Sequence, residues 1–252
     1  MHLALLLFLA QDAAAPSFDD VVAGIETHRR ELAARYRRAP ARARPPLLGE
    51  ARAFVVSTII EELFPAWMGT PWGLGRDSNA SRPHQPGKVV GCSYFVTAVL
   101  ENAGVALESR ARFAQAPSLW IQRALLPFGG QVHRFGSIDA PELRRRIAAL
   151  GENLYVIGLD YHVGFLVVRG AEVRIVHASY FPPQAVVSEP VEASAAIEGS
   201  RRKGYWVSPL FRDDRLVDLW LRGAAVPAPP PWPPPTRAGD AGGPALSPRL
   251  RR

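Results

Sequence analysis

The chain has 252 residues, 48% of them hydrophobic, a formal net charge of +7 and a single cysteine. Such a length and apolar share suit one compact unit with short appendages, large enough to bury a core without cross-links, and the lone cysteine excludes an internal disulfide. Arginine supplies most of the positive surplus, but no zinc-finger spacing, RNP-like aromatic motif or heptad repeat accompanies it, so a nucleic-acid partner is not expected. The surplus fits either attraction to an anionic envelope polymer or a solvated helix face, and we favour the second.

In chain order, Met1 to Ala15 reads as a short signal peptide: Leu3 to Ala10 is apolar but too short to span a bilayer, and Ala13-Ala14-Ala15 offers small residues for cleavage. The alternative is a short buried N-terminal helix. Export would place the protein in the periplasm or outside the cell, and no further segment is a transmembrane candidate. Ser17 can cap a helix from Phe18 to about Arg38, with Asp19 and Asp20 in its first turn and Arg37 and Arg38 in its last. A Pro/Arg linker, Ala39 to Pro46, leads to a second, largely apolar helix over about Leu48 to Phe64, ended by Pro65. Residues 17–46 therefore read as an N-terminal helix and linker, and residues 47–221 as the main domain.

The segment Trp67-Met68-Gly69-Thr70-Pro71-Trp72-Gly73-Leu74-Gly75 is rich in turn formers, and Arg76 to Lys88 reads as an irregular surface loop. A helix from Cys92 to about Asn102 follows, closed by Gly104. Leu119 to Leu126 and a segment capped by Ser137 or Asp139 and running to Leu150 are further helices. The period then changes. Asn153 to Leu159, Tyr161 to Arg169 and Glu172 to Ala178 read as strands, with a hairpin turn at Gly170-Ala171, and Gly204 to Leu210 reads as a fourth. After Leu221 the chain is dominated by Pro, Ala and Gly, so residues 222–252 read as a disordered or polyproline-like tail. Helices first and antiparallel strands after is the order of an α+β fold.

Cys92 is the candidate nucleophile. It stands at the first turn of a helix, where partial positive charge favours thiolate and unpaired amides can hold an oxyanion. His162 is the candidate base; on a strand it would share a face with Gly164, whose missing side chain leaves space beside the imidazole. A two-residue turn at Gly170-Ala171 would pair position 177 with position 164, putting His177 on the face of His162 as the group that orients it, a role Ser179 or water could also fill. His2, His28, His84 and His133 show no metal-ligand spacing, so no metal or other cofactor is expected.

Four ordered segments carry a resemblance: Gly69-Thr70-Pro71-Trp72-Gly73-Leu74-Gly75, Cys92-Ser93-Tyr94-Phe95-Val96, His162-Val163-Gly164-Phe165 and Val176-His177-Ala178-Ser179. Together they resemble the NlpC family of papain-like cell-wall peptidases over Trp67 to about Ser179, as a divergent member. Trp72 stands where the family usually has tyrosine and Gly91 where it often has aspartate, and about seventy residues separate Cys92 from His162. The resemblance implies an α+β, papain-like fold with the nucleophile helix packed on an antiparallel sheet. It also implies a Cys92-His162-His177 triad cutting amide bonds, with peptidoglycan stem peptides as the expected substrate. Trp67, Trp72, Ser93 and Gly164 are the expected substrate-binding residues. The alternatives are an acyltransferase or amidase acting on a lipid or small amide, and a non-catalytic envelope-binding module of the same fold.

Overall fold

The computed structural model describes residues 16–126 and 130–231. The signal-peptide reading, and the tail from residue 232 onward, lie outside the described residues.

Helix α1, Phe18–Arg38, starts with a reciprocal cap: the Ser17 hydroxyl accepts from the Asp20 amide, and the Asp20 carboxylate accepts from the Ser17 amide. It buries Ile25, Leu32 and Ala33, so it is part of the same core as the sheet rather than a separate appendage. Three of its arginines are neutralised locally, Arg29 and Arg30 by Glu26 and Arg35 by Glu50.

The second helix is longer than its periodicity predicts. It runs as α2, Arg44–Thr58, a π turn, Ile59–Leu63, and α3, Phe64–Trp67. Pro45 and Pro46 begin it instead of closing a linker, because proline in a first turn lacks only an amide that has no helical partner. Pro65 does not end it. The turn before Pro65 widens so that the Phe64 amide bonds the Ile59 carbonyl, which lets the chain continue to Trp67.

Then come α4, Cys92–Asn102; α5, Arg110–Gln115; α6, Ser118–Leu125; and α7, Ala140–Ala148, the last capped by Asp139. After these the chain makes α8, Ala195–Ser200, and α9, Asp214–Arg222. The strands are β1, His133–Phe135; β2, Asn153–Gly158; β3, Val163–Arg169; β4, Glu172–Ala178; β5, Val186–Pro190; and β6, Tyr205–Pro209. They form one antiparallel sheet in the order β1-β6-β2-β3-β4-β5, so the fold is α+β. Strands β1 and β5 and helices α5, α8 and α9 are additions to the elements read from sequence.

The central strands are apolar on both faces because both are covered. Val156, Val163, Phe165, Val167 and Val176 pack with α1 to α6 and α9 in one core. Tyr155, Ile157, Leu166, Val173 and Ile175 pack with α7 and α8 in the other.

The folded part extends beyond Leu221. Val226 is fully buried and is held by backbone bonds to the segment before α5: its amide donates to the Ala106 carbonyl, and its carbonyl accepts from the Glu108 amide. Arg112 donates to the Pro229 carbonyl. A β-branched residue among alanines and prolines thus anchors the start of the expected tail. No helix among the described residues is long and apolar enough to cross a membrane.

Candidate active site

Strands β3 and β4 pair with Phe165 opposite Val176 and Arg169 opposite Glu172, the register set by the two-residue turn at Gly170-Ala171. Continued one step, it sets His177 across from Gly164. His162 lies just before β3, where the Leu159 amide donates to its carbonyl and prolongs the β2–β3 ladder. The two rings meet: His162 Nε2 is 2.7 Å from His177 Nδ1, the planes are nearly perpendicular, and both residues are buried.

The cysteine segment is tied to the same corner. The Val90 amide donates to the Pro71 carbonyl and the Gly91 amide to the Ser78 carbonyl. The loop before it is fastened to the start of β5, where the Gly69 amide donates to the Val186 carbonyl, the Val186 amide to the Thr70 carbonyl, and the Trp72 amide to the Gln184 carbonyl. At Gly73 a Cβ would stand 2.6 Å from a Val89 methyl, so only glycine permits this close approach. Cys92 then opens α4, half-buried, with its thiol against the backbone amide of Val163, the residue after His162.

The electrostatics differ from the helix-terminus expectation. Burial pushes the Cys92 thiol above its ordinary value, outweighing the pull of the Val163, Ser93 and Cys92 amides and the Ser93 hydroxyl. Burial, and then repulsion from His177, holds His162 well below the usual imidazole range. Both shifts favour a thiol and a neutral imidazole over a thiolate–imidazolium pair.

Two groups were missed by the sequence reading. Glu189 on β5 places Oε1 3.2 Å from His177 Nε2. Its carboxyl is held below its ordinary range, first by that hydrogen bond and also by one from Ser194, against the opposing effect of burial. Tyr180 follows β4, with its ring 5.3 Å from His162 and 6.2 Å from Trp72. Burial, then the negative charge available at Cys92 and Asp160, pushes its phenol up. The signal for Tyr180 was its position one residue after Ser179. Glu189 carried none, because its role depends on how β5 pairs.

The four expected substrate-binding residues sit in different surroundings. Trp67 is fully buried, edge-on to Phe95 with ring centroids 5.6 Å apart, because α3 carries it through Pro65 into the core; it lines no groove. The Ser93 hydroxyl donates to the Ala114 carbonyl at 2.6 Å and so links α4 to α5. Gly164 does not leave open space: a Cβ there would stand 2.8 Å from His177 Cβ and 3.0 Å from the Val176 carbonyl oxygen. Its bareness admits His177. Trp72, beside Tyr180, and Ser93, next to Cys92, are the two of the four that are partly exposed.

Among the described residues, no group of three or more His, Cys, Asp or Glu is placed to hold a metal ion. The groove lined by Ile60, Phe64, Met68, Val167, Arg174 and Val176 includes none of Cys92, His162, His177 and Glu189. Set against known protein families, curated proteins and solved structures, the chain matches none of them.

Proposed function

We propose that the chain is a papain-like cysteine hydrolase, similar to the NlpC family, that cleaves amide bonds through Cys92, His162 and His177. One observation carries the reading: a helix-start thiol lies against the Val163 amide, and the residue before it, His162, is hydrogen-bonded at 2.7 Å to a second buried histidine. A lone buried histidine is a packing residue. A buried dyad beside the chain's only cysteine is a device for moving a proton.

The reaction follows from the neutral resting pair. The Cys92 sulfur attacks the amide carbonyl as its proton passes to His162. The oxyanion of the tetrahedral intermediate faces the amides at the start of α4, three of which, those of Cys92, Ser93 and Tyr94, precede the first intrahelical bond, from the Phe95 amide to the Gly91 carbonyl. Collapse breaks the C–N bond. The leaving amine takes the proton from His162, and a thioester on Cys92 remains. Water, deprotonated by His162, attacks the thioester, and the acid product leaves with the thiol restored.

Peptidoglycan stem peptides are the proposed substrate, and an exported protein of the cell envelope is the proposed setting, both resting on the resemblance of the four motifs. The test is incubation of purified protein with muropeptides, reading each new amine and carboxyl by mass spectrometry. Cleavage by the wild type that Cys92→Ala abolishes supports the reading; equal cleavage by that variant sinks it. A second reading, acyl transfer or hydrolysis on a lipid or small amide, is favoured by exposed apolar side chains in the Trp72 and His162 loops, Leu74 at 66% and Tyr161 at 75% exposure. Turnover of an N-acyl amide in place of muropeptides would select it.

A further inference from the structure

We propose that Glu189 is a positioning residue that fixes the tautomers of both histidines and so leaves Nδ1 of His162 bare, ready to take the thiol proton. The proposal rests on the cysteine hydrolase reading for its catalytic meaning, but its structural content stands apart from any substrate.

Glu189, His177 and His162 form a chain of donors and acceptors. Strands β4 and β5 pair with Ile175 opposite Glu189 and His177 opposite Val187, so Glu189 lies one diagonal step from His177 on the same face of the sheet. An ionised carboxylate can only accept hydrogen bonds, so His177 Nε2, 3.2 Å away, carries a proton. Where that is the only proton His177 carries, its Nδ1 is bare and accepts. The group 2.7 Å from it, His162 Nε2, must donate. In neutral His162, Nδ1 is consequently the bare nitrogen. Two buried imidazoles alone could run this chain in either direction with equal satisfaction; the carboxylate at its end selects one direction.

The same chain accommodates the proton once it arrives. His162 gains a proton on Nδ1 and keeps the one on Nε2, becoming an imidazolium bonded to His177. Shifting the Nε2 proton across the 2.7 Å contact to His177 Nδ1 moves the positive charge onto the ring beside Glu189. Nothing is gained or lost in this step but the position of one proton. Among the described residues, these neighbouring polar groups make their hydrogen bonds away from His177: the Ser194 hydroxyl bonds Glu189, Arg174 bonds Ser188 and Glu172, and Arg144 and Glu192, on the layer packed over β4, pair with each other. Tyr180 faces His162 through its ring.

The experiment uses the full chain labelled with 15N-histidine and reads ring-nitrogen protonation by NMR at neutral pH. Wild type should show His162 protonated on Nε2 alone and His177 protonated on Nε2 alone. In Glu189→Gln the side-chain amide can donate as well as accept, and His162 should acquire a population protonated on Nδ1. Turnover, where a substrate is known, should fall on the order of 100-fold, and Glu189→Asp, which keeps the acceptor-only group, should fall less. A wild-type His162 protonated on Nδ1 overturns the proposal, including where Glu189→Gln fails to fold. Unchanged tautomers in a folded Glu189→Gln overturn it too. The expected tautomers in a wild type that cleaves no amide substrate would uphold the role of Glu189 in ordering the dyad and bring down the hydrolase reading alone.

Discussion

His177 occupies the space left open by Gly164: a Cβ on the glycine would come within 2.8 Å of the histidine's own Cβ, across the β3–β4 pair. The glycine and the dyad are thus one arrangement. The bare position on β3 lets the imidazole of His177 sit low enough over the sheet to meet His162 at 2.7 Å.

Gly164→Ala tests that dependence. The new methyl group meets a side-chain carbon and a backbone oxygen, Val176 O at 3.0 Å, and neither lies at the end of a flexible chain. The variant should lose about 1–3 kcal/mol of stability from overpacking, measured by urea denaturation. His177 should also be displaced, so amide cleavage should fall further than the stability loss accounts for. A variant with wild-type stability and a wild-type dyad by histidine NMR would show that the strands part without cost at this point.

How much of this was legible follows from which residues act locally. The Gly170-Ala171 turn is a local feature, and it alone settled the β3–β4 register and the shared face of His162 and His177. Glu189 was illegible because β5, Val-Val-Ser-Glu-Pro, has no clean alternation and acquires meaning only by pairing with β4. Trp67 was misjudged because proline normally closes a helix, whereas here the π turn at Ile59–Leu63 carries the chain past Pro65 into the core. The thiol was misjudged for a similar reason. The helix terminus is visible in sequence, while the burial that outweighs it arises only when the core closes around Cys92.

The chemistry of Cys92 gives a direct check on that balance. With its pKa raised by burial, the thiol should react slowly with iodoacetamide at pH 7. The rate should climb only as pH passes above the ordinary thiol range, and His162→Ala should not raise it at neutral pH. Mass spectrometry of the single alkylation site reads this without interference, since the chain has one cysteine. Rapid alkylation with an apparent pKa below that range would instead indicate a resting thiolate–imidazolium pair and a different first step.

Burial of neutral His162 also makes a stability prediction. The unfolded chain takes up a proton near the ordinary histidine value of 6.5, while the folded chain resists it until well below. Between those values the unfolded state binds more protons, so stability must fall as pH falls. The contribution is fully present above about pH 6.5 and is lost as pH drops toward the folded pKa of His162. Glu189 adds to the loss at lower pH, since its lowered pKa favours the folded chain only while it is ionised. Thermal melts from pH 8 to pH 4 should show the decline beginning near pH 6.5, and His162→Asn should flatten that first part of the curve. A wild-type curve level from pH 7 to pH 5 would mean that His162 is not held neutral by its surroundings.

The two tryptophans flanking Gly69 separate a core role from a substrate role. Trp67 is fully buried against Phe95, so Trp67→Ala should cost about 3–5 kcal/mol, with loss of activity only through unfolding. Trp72 is partly exposed and touches the site through Tyr180, whose ring in turn faces His162. Trp72→Ala should therefore leave the melting temperature nearly unchanged and act on substrate, raising KM more than it lowers kcat, because an aromatic face at the rim holds ground state and transition state alike. If Trp72→Ala instead lowers kcat with KM unmoved, the ring acts on the dyad by holding Tyr180 in place rather than by binding the substrate. Equal losses of stability in the two variants would show that position 72 belongs to the core, and the substrate-binding rim would have to be sought at the exposed Tyr161 and Leu74.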